Sequence, residues 1–242
     1  HERPGTTVHG GERGVKTVPL WSLADIRPSN VDKKSSPSEP TVRLVNYTDV
    51  YYNQRITADL DLMEATASAD HIARFGVRPG DLIITKDSET SDDIGIPALV
   101  ESASDDMVCA YHLSLLRPYT DRVDPRFLYW CLDSSDTKGY WLTASFGVTR
   151  VSIPIGTVAR LPIPAFDRDA QRQIADYLAA YQMTRQLIGL GHHRIGLAVG
   201  DERTWPVREK VRVFEEASAD SDREERPVSY TDFSYAGGYE AA

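Results

Sequence analysis

Apolar and polar residues change period several times along the chain, and each change predicts an element. Thr41-Val-Arg-Leu-Val-Asn-Tyr47 alternates with period two and reads as a strand. Asp81-Leu-Ile-Ile-Thr85 and Pro97-Ala-Leu-Val100 are short apolar runs of strand type. Met107 to Arg117 is the clearest strand, with Cys109, Tyr111, Leu113 and Leu115 alternating with Ala110, His112 and Ser114. Ser68 to Phe75 predicts a short helix, closed by the Pro-Gly turn of Val77 to Asp81. Asp124-Pro125 supplies a cap and a first-turn proline, and Phe127, Leu128, Cys131 and Leu132 then repeat at helical spacing. A second helix is expected from about Asp136 to Ser145. Between these elements, Lys86 to Ile94 is a charged loop, and Gly147 to Ile153 is a loop with a short strand. Leu161-Pro-Ile-Pro164 is too proline-rich for a helix and predicts an extended exit.

The period then changes again. Asp167 can cap a long helix through Gln171, Ile174, Leu178, Tyr181, Leu187 and Ile188. Ile174, Tyr181 and Ile188 recur every seventh residue, with Ile195 in the same series, which suits packing along another helix. The glycines from Gly189 to Gly200 weaken the second half. The organisation expected is a flexible leader (1–15), an α+β mixed domain (16–166), a spacer or dimerisation helix region (167–200) and a flexible acidic tail (201–242). The tail aromatics Tyr230, Phe233, Tyr235 and Tyr239 could alternatively form a docking segment.

Charge and composition narrow the function classes. The net charge is −9, and residues 201–242 hold 11 acidic and 6 basic residues, five of those nine negative charges. A protein that grips DNA alone is usually basic, so phosphate contact would have to come largely from partner chains. No apolar run is long enough to span a membrane, and the first residues lack a signal-type apolar stretch, so a cytoplasmic setting is the expectation. Cys109 and Cys131 stand in apolar surroundings with no metal-ligand spacing and read as buried free thiols.

Catalytic patterns are missing. There is no GxxxxGK[ST], HExxH or GxSxG, and no GxGxxG follows a strand. Adjacent His192 and His193 do not share a helix face, and the acidic pairs Asp92-Asp93 and Asp105-Asp106 read as solvated turns rather than metal sites. No Asn-Pro-Pro-Tyr-type motif and no spaced nuclease set is present. A non-catalytic binding module with no metal and no cofactor of its own is therefore expected.

The order of segments carries a resemblance. Trp21-Ser-Leu-Ala-Asp-Ile26, Gly80-Asp-Leu-Ile-Ile84 and Lys86-Asp-Ser88 come first. Leu115-Leu-Arg-Pro118, Asp124-Pro-Arg-Phe-Leu-Tyr129, Gly147-Val-Thr149, Ile153 and Leu161-Pro-Ile-Pro164 follow, with Gln171 and Ile174 after them. This series resembles the target-recognition domain and spacer start of a type I restriction–modification specificity subunit, over about Val18 to Ile188. The resemblance implies a mixed α/β recognition domain that meets double-stranded DNA in the major groove. It implies a spacer helix that packs on a partner spacer and on methyltransferase subunits. Those partners would carry S-adenosylmethionine and flip the target adenine, and a restriction subunit could join. Family members usually carry two recognition domains and two spacers, whereas this sequence has one of each. It is then either a half-subunit dimerising through Ile174, Leu178, Tyr181 and Ile188, or a piece of a longer protein.

Base edges are read by polar side chains on loops and helix ends. On that ground Lys86 and Arg150 are candidate DNA contacts, with Asp87, Ser88 and Thr149 beside them. Arg43, Asn46 and Tyr47 on the first long strand are further candidates. The plainer alternative is a Lys86–Asp87 surface pair and an Arg150 packed against an acid. Two rival classes stand beside the DNA-reading module: a nuclease or modification enzyme, and an acidic interaction module or DNA mimic that scaffolds or blocks such a complex.

Overall fold

The structure, a computed structural model, describes residues 15–90, 93–147, 151–192, 195–199, 205–219 and 228–230. The chain forms two compact units, His1–Asp167 and Arg168–Ala242. The division falls one residue beyond the boundary read at 166/167.

In the first unit, β1 (Thr17–Pro19) leads through a 3-10 turn to β2 (Ala24–Pro28) and β3 (Thr41–Val45). Then come α1 (Tyr47–Tyr52), β4 (Arg55–Ile56), β5 (Met63–Thr66), α2 (Ala69–Phe75), β6 (Leu82–Thr85), β7 (Asp87–Ser88) and β8 (Pro97–Val100). The remainder is β9 (Met107–Cys109), β10 (Leu113–Pro118), α3 (Pro125–Asp133), α4 (Ser135–Ala144), β11 (Val151–Ser152), α5 (Ile155–Arg160) and β12 (Pro162–Pro164). A five-stranded sheet of order β2-β10-β6-β8-β4 and a three-stranded sheet of order β5-β3-β9 form the body. They share one core, in which Leu44 and Val45 of β3 meet Ile83, Leu113 and Leu115 of the larger sheet. The α+β expectation describes this unit.

Helix starts follow side-chain caps. Ser68 accepts from the His71 N–H, Asp124 from Arg126 and Ser134 from Thr137. Each oxygen satisfies a first-turn donor that the helix itself leaves open. Two short helices, α1 and α5, were not expected from the period.

The strand expected over Met107 to Arg117 is corrected. It is two strands in different sheets, β9 and β10, separated at Ala110–His112. His112 takes φ 63°, a left-handed value unusual for a residue with a side chain. The alternation also fails, because β10 lies between β2 and β6 and buries Leu113, Ser114, Leu115 and Leu116 alike. Leu161 to Pro164 is extended as expected, but β12 is more than an exit: it pairs antiparallel with β1.

The second unit holds α6 (Arg168–Gly189), β13 (Leu197–Val199), α7 (Trp205–Ser218) and β14 (Val228–Tyr230). Gly191 is left-handed at φ 85° just past α6, so the helix stops there and Ile195 falls outside it. The expectation of a wholly flexible tail from Asp201 is corrected for Trp205–Ser218, which is helix α7 with Val213, Phe214 and Ala217 buried. Tyr177 of α6 donates to Glu216 of α7 at 2.9 Å, and Arg212 stacks over the Tyr177 ring at 5.5 Å. Thus α6 has a packing partner inside its own chain. Ile174, Leu178 and Ile188 are half-buried and Tyr181 is 38% exposed. Among the described residues no helix is long and apolar enough to cross a membrane.

Candidate nucleic-acid interface

The charged loop after β6 is a built excursion. Its neck is closed where the Thr85 N–H donates to the Ile96 carbonyl at 3.1 Å and the Gly95 N–H donates to the Thr85 carbonyl at 2.8 Å. The Thr85 hydroxyl reaches the Asp93 carbonyl at 3.1 Å. Inside the excursion, β7 pairs antiparallel with β11, Ser88 opposite Val151 and Asp87 opposite Ser152. Phe146 and Ser152 exchange backbone hydrogen bonds of 3.2 and 3.1 Å, which ties the end of the segment ahead of Gly147 to β11. The two loops singled out in the sequence therefore meet. Thr149 and Arg150 lie outside the described residues.

Beside β7 opens a cleft of about 230 Å³ lined by Tyr47, Asp87, Ser88, Glu89, Asp93 and His112. A second cleft of about 140 Å³ adjoins it, sharing Tyr47 and His112 and adding Lys33, Asn46 and Tyr111 among its walls. Tyr47 is the first residue of α1, and its hydroxyl lies 3.3 Å from both Ser88 Oγ and the Asp93 carbonyl. Tyr51, one turn on, stacks with Tyr47 at 5.9 Å and donates to Asp93 Oδ1 at 3.3 Å. The Asp93 charge raises the Tyr51 hydroxyl above the usual tyrosine range. His112 is held by the Lys86 N–H, which donates to its carbonyl at 2.9 Å, and its ring packs edge-on to Tyr111 at 4.2 Å. Asp87 Oδ2 lies 3.4 Å from His112 Nδ1. A left-handed side chain held in a cleft wall is the sort of local strain that clusters at binding sites.

The other candidates sort clearly. Lys86 turns inward: its ammonium donates to the Ser29 carbonyl at 3.0 Å, sits 5.0 Å above the Tyr111 ring and is 4.0 Å from Asp87. Only 18% of that side chain is exposed. Its charge positions the cleft wall. Arg43 lines neither cleft; its guanidinium is spent on Asp106 at 3.0 Å, the Ala58 carbonyl at 2.9 Å and Ser104. These hydrogen bonds hold the Asp106 carboxyl below its usual range. Asn46 starts α1, its N–H donating to Asp49 Oδ2 at 2.7 Å, and its side-chain N–H donates to the Leu44 carbonyl at 3.2 Å. Burial outweighs that bond at Asp49 and raises its carboxyl.

Glu89, His112, Tyr111 and Lys33 were not singled out in the sequence, and Asp93 was read only as part of a solvated acidic turn. Glu89 and Asp93 lay within the loop already chosen, and the adjacent Lys33-Lys34 pair was a legible signal. His112 and Tyr111 were hidden in an apparent strand.

The chemistry of the pair of clefts is acceptor-rich and aromatic, with a lysine at its rim. Neither thiol is a nucleophile at neutral pH, since burial raises Cys109 strongly and pushes Cys131 up to about 12. Among the described residues no group of three or more His, Cys, Asp or Glu is placed to hold a metal.

Comparisons with known proteins bear on the fold. No family model matches the chain. An uncharacterized HTH-type transcriptional regulator in the aml 5' region of Streptomyces limosus is 43% identical over 72 residues, 28% of this chain and 20% of that protein. The crystal structure of a type I restriction–modification S subunit from M. genitalium covers 74% of this chain and 42% of its own, at 14% identity and TM-score 0.45. The HsdS subunit from Thermoanaerobacter tengcongensis covers 88% of this chain and 47% of its own, at 17% identity and TM-score 0.50. The chain thus spans about half the length of the solved structures it matches and a fifth of the curated relative. Over most of its length, this chain shares the fold of the Thermoanaerobacter HsdS subunit.

Proposed function

We propose that the chain is the DNA sequence-reading component of a type I restriction–modification assembly, directing a partner adenine methyltransferase to its site. The observation that carries the reading is the cleft beside β7, where polar groups from three separate segments converge on a fold shared with an HsdS subunit. Fold alone does not assign function, and the chemistry of the cleft is what supports this reading. Carboxylates, hydroxyls and aromatic rings suit the edges and faces of bases, while a row of carboxylates repels phosphate. Backbone contact then falls to rim lysines and to the partner. In this reading S-adenosylmethionine and the flipped adenine belong to that partner, and α6 with α7 forms the spacer. A restriction subunit and a second copy of this chain are further partners consistent with it.

The test is co-expression with an adenine methyltransferase subunit, followed by sequencing of modified adenines. One defined motif that disappears when this chain is omitted is the expected result. The net charge of −9 favours a second reading, an acidic module that occupies the DNA groove of such a complex. In that case the complex forms, this chain competes with DNA, and methylation is indifferent to it or falls when it is added.

Lys33 gives a second expectation. It is exposed at the rim of the smaller cleft. Lys33→Ala should weaken binding of the assembled complex about equally on all sequences and lower the slope of log K against log salt by about one. A salt titration on target and scrambled duplexes measures both; a slope that stays unchanged removes Lys33 from the phosphate contacts.

A further inference from the structure

The donor and acceptor inventory of the two clefts is lopsided. The Tyr47 hydroxyl is shared between Ser88 and the Asp93 carbonyl. The Lys86 ammonium is withdrawn to Ser29 and the Tyr111 ring. Asp87 faces His112, and Asp93 accepts from Tyr51 and Thr90. Glu89 remains: it is exposed on the cleft wall, and among the described residues it makes no hydrogen bond or ion pair.

In the adjoining cleft the Asn46 amide is committed within the chain. Its side-chain N–H donates to the Leu44 carbonyl at 3.2 Å, because that carbonyl can only accept, and Oδ1 then faces the N3 N–H of α1 in a capping box.

We infer that this face reads a cytosine through its exocyclic amino group in the major groove, with Glu89 as the accepting carboxylate. This rests on the DNA-reading function proposed above and names the base class it would select. Guanine presents acceptors in the major groove and calls for Arg or Lys. Among the described residues of the loop that forms the larger cleft, the cation is Lys86, and it is turned inward. Adenine is read by an amide that both donates and accepts, and the Asn46 amino group is already held by Leu44. A lone carboxylate matches the N4 amino donor of cytosine. The neighbouring Tyr47 and Tyr111 rings supply flanking apolar walls.

The experiment compares modified-adenine motifs written by the wild-type complex and by complexes carrying Glu89→Gln or Glu89→Ala. The expected result is a wild-type motif with a fixed C·G pair at which both variants lose about tenfold to a hundredfold of their discrimination, other positions staying fixed. Glu89→Gln, which keeps shape and adds a donor, should also admit adenine there. A wild-type motif that depends on the chain but is unchanged in both variants overturns the inference and leaves the function standing. Relaxation at an A, G or T position overturns it too, as does uniform loss of methylation at all sites. A wild-type complex with no chain-dependent motif overturns the function and the inference together.

Discussion

Arg117→Leu lowers the unfolding free energy of the first unit by about 3–5 kcal/mol, the range expected when one partner of a buried ion pair is removed. Asp81 immediately precedes β6 and is 2% exposed. Its two oxygens accept from Arg117 Nε at 2.8 Å and Nη2 at 2.6 Å, and Oδ2 also accepts the Arg78 N–H at 2.8 Å. Arg117 gives a further bond to the Gly76 carbonyl at 2.8 Å. The Asp81 bonds raise the guanidinium above its ordinary range, so Arg117 keeps its charge. Leucine fills part of the volume but leaves a buried carboxylate and a carbonyl without donors. Urea unfolding followed by tryptophan fluorescence measures the loss. Adding Asp81→Asn to Arg117→Leu should recover part of it, because the orphaned charge goes too. A single-variant loss below about 1 kcal/mol would show that water replaces the arginine and that the bidentate fork matters little.

Gly95→Ala is the second large effect, at about 2–4 kcal/mol from two independent causes. Gly95 has φ 75°, where a side chain is strained. An added Cβ would also stand 2.3 Å from Trp141 Cδ1 and 2.4 Å from Nε1. Trp141 is 1% exposed and cannot swing away. Gly95 also holds the neck of the cleft loop through its bond to Thr85, so displacement should propagate to Asp93 and Tyr47 and, under the function proposed above, blur target choice. Gly139→Ala is the matched control: it lies within α4 and meets nothing within 4 Å, so helix propensity should make it neutral or slightly stabilising. Thermal melts of both variants measure the difference, and equal midpoints would remove Gly95 as a packing point.

Much of the architecture follows from local rules, and the failures have local causes. Helices at Ala69–Phe75, Pro125–Asp133 and Ser135–Ala144 announce themselves through a capping Ser or Asp. The Met107 to Arg117 run misleads because the break at His112 leaves no glycine or proline as a mark. Central strands buried on both faces also show no alternation for the eye to catch. Helix α7 escapes notice because charge dominates composition there, while Val213, Phe214 and Ala217 hold one buried face. At the site, composition reveals the two polar loops. Their meeting depends on Ser88 pairing with Val151, a contact between distant segments that no window of sequence contains. The inward turn of Lys86 depends on Ser29 and Tyr111 in the same way.

The pairing of β1 with β12 has a consequence for how this unit is carried. Thr17 lies opposite Pro164 and Pro19 opposite Pro162, and the Ala165 N–H donates to the Lys16 carbonyl at 2.8 Å. Chain entry and chain departure thus occupy one point on the surface. A polypeptide joined across that point and reopened at an exposed loop keeps every strand pairing it had. The unit behaves as a cassette: a host needs only two neighbouring ends to receive it, and exchanging one such unit for another leaves the geometry of those ends as it was.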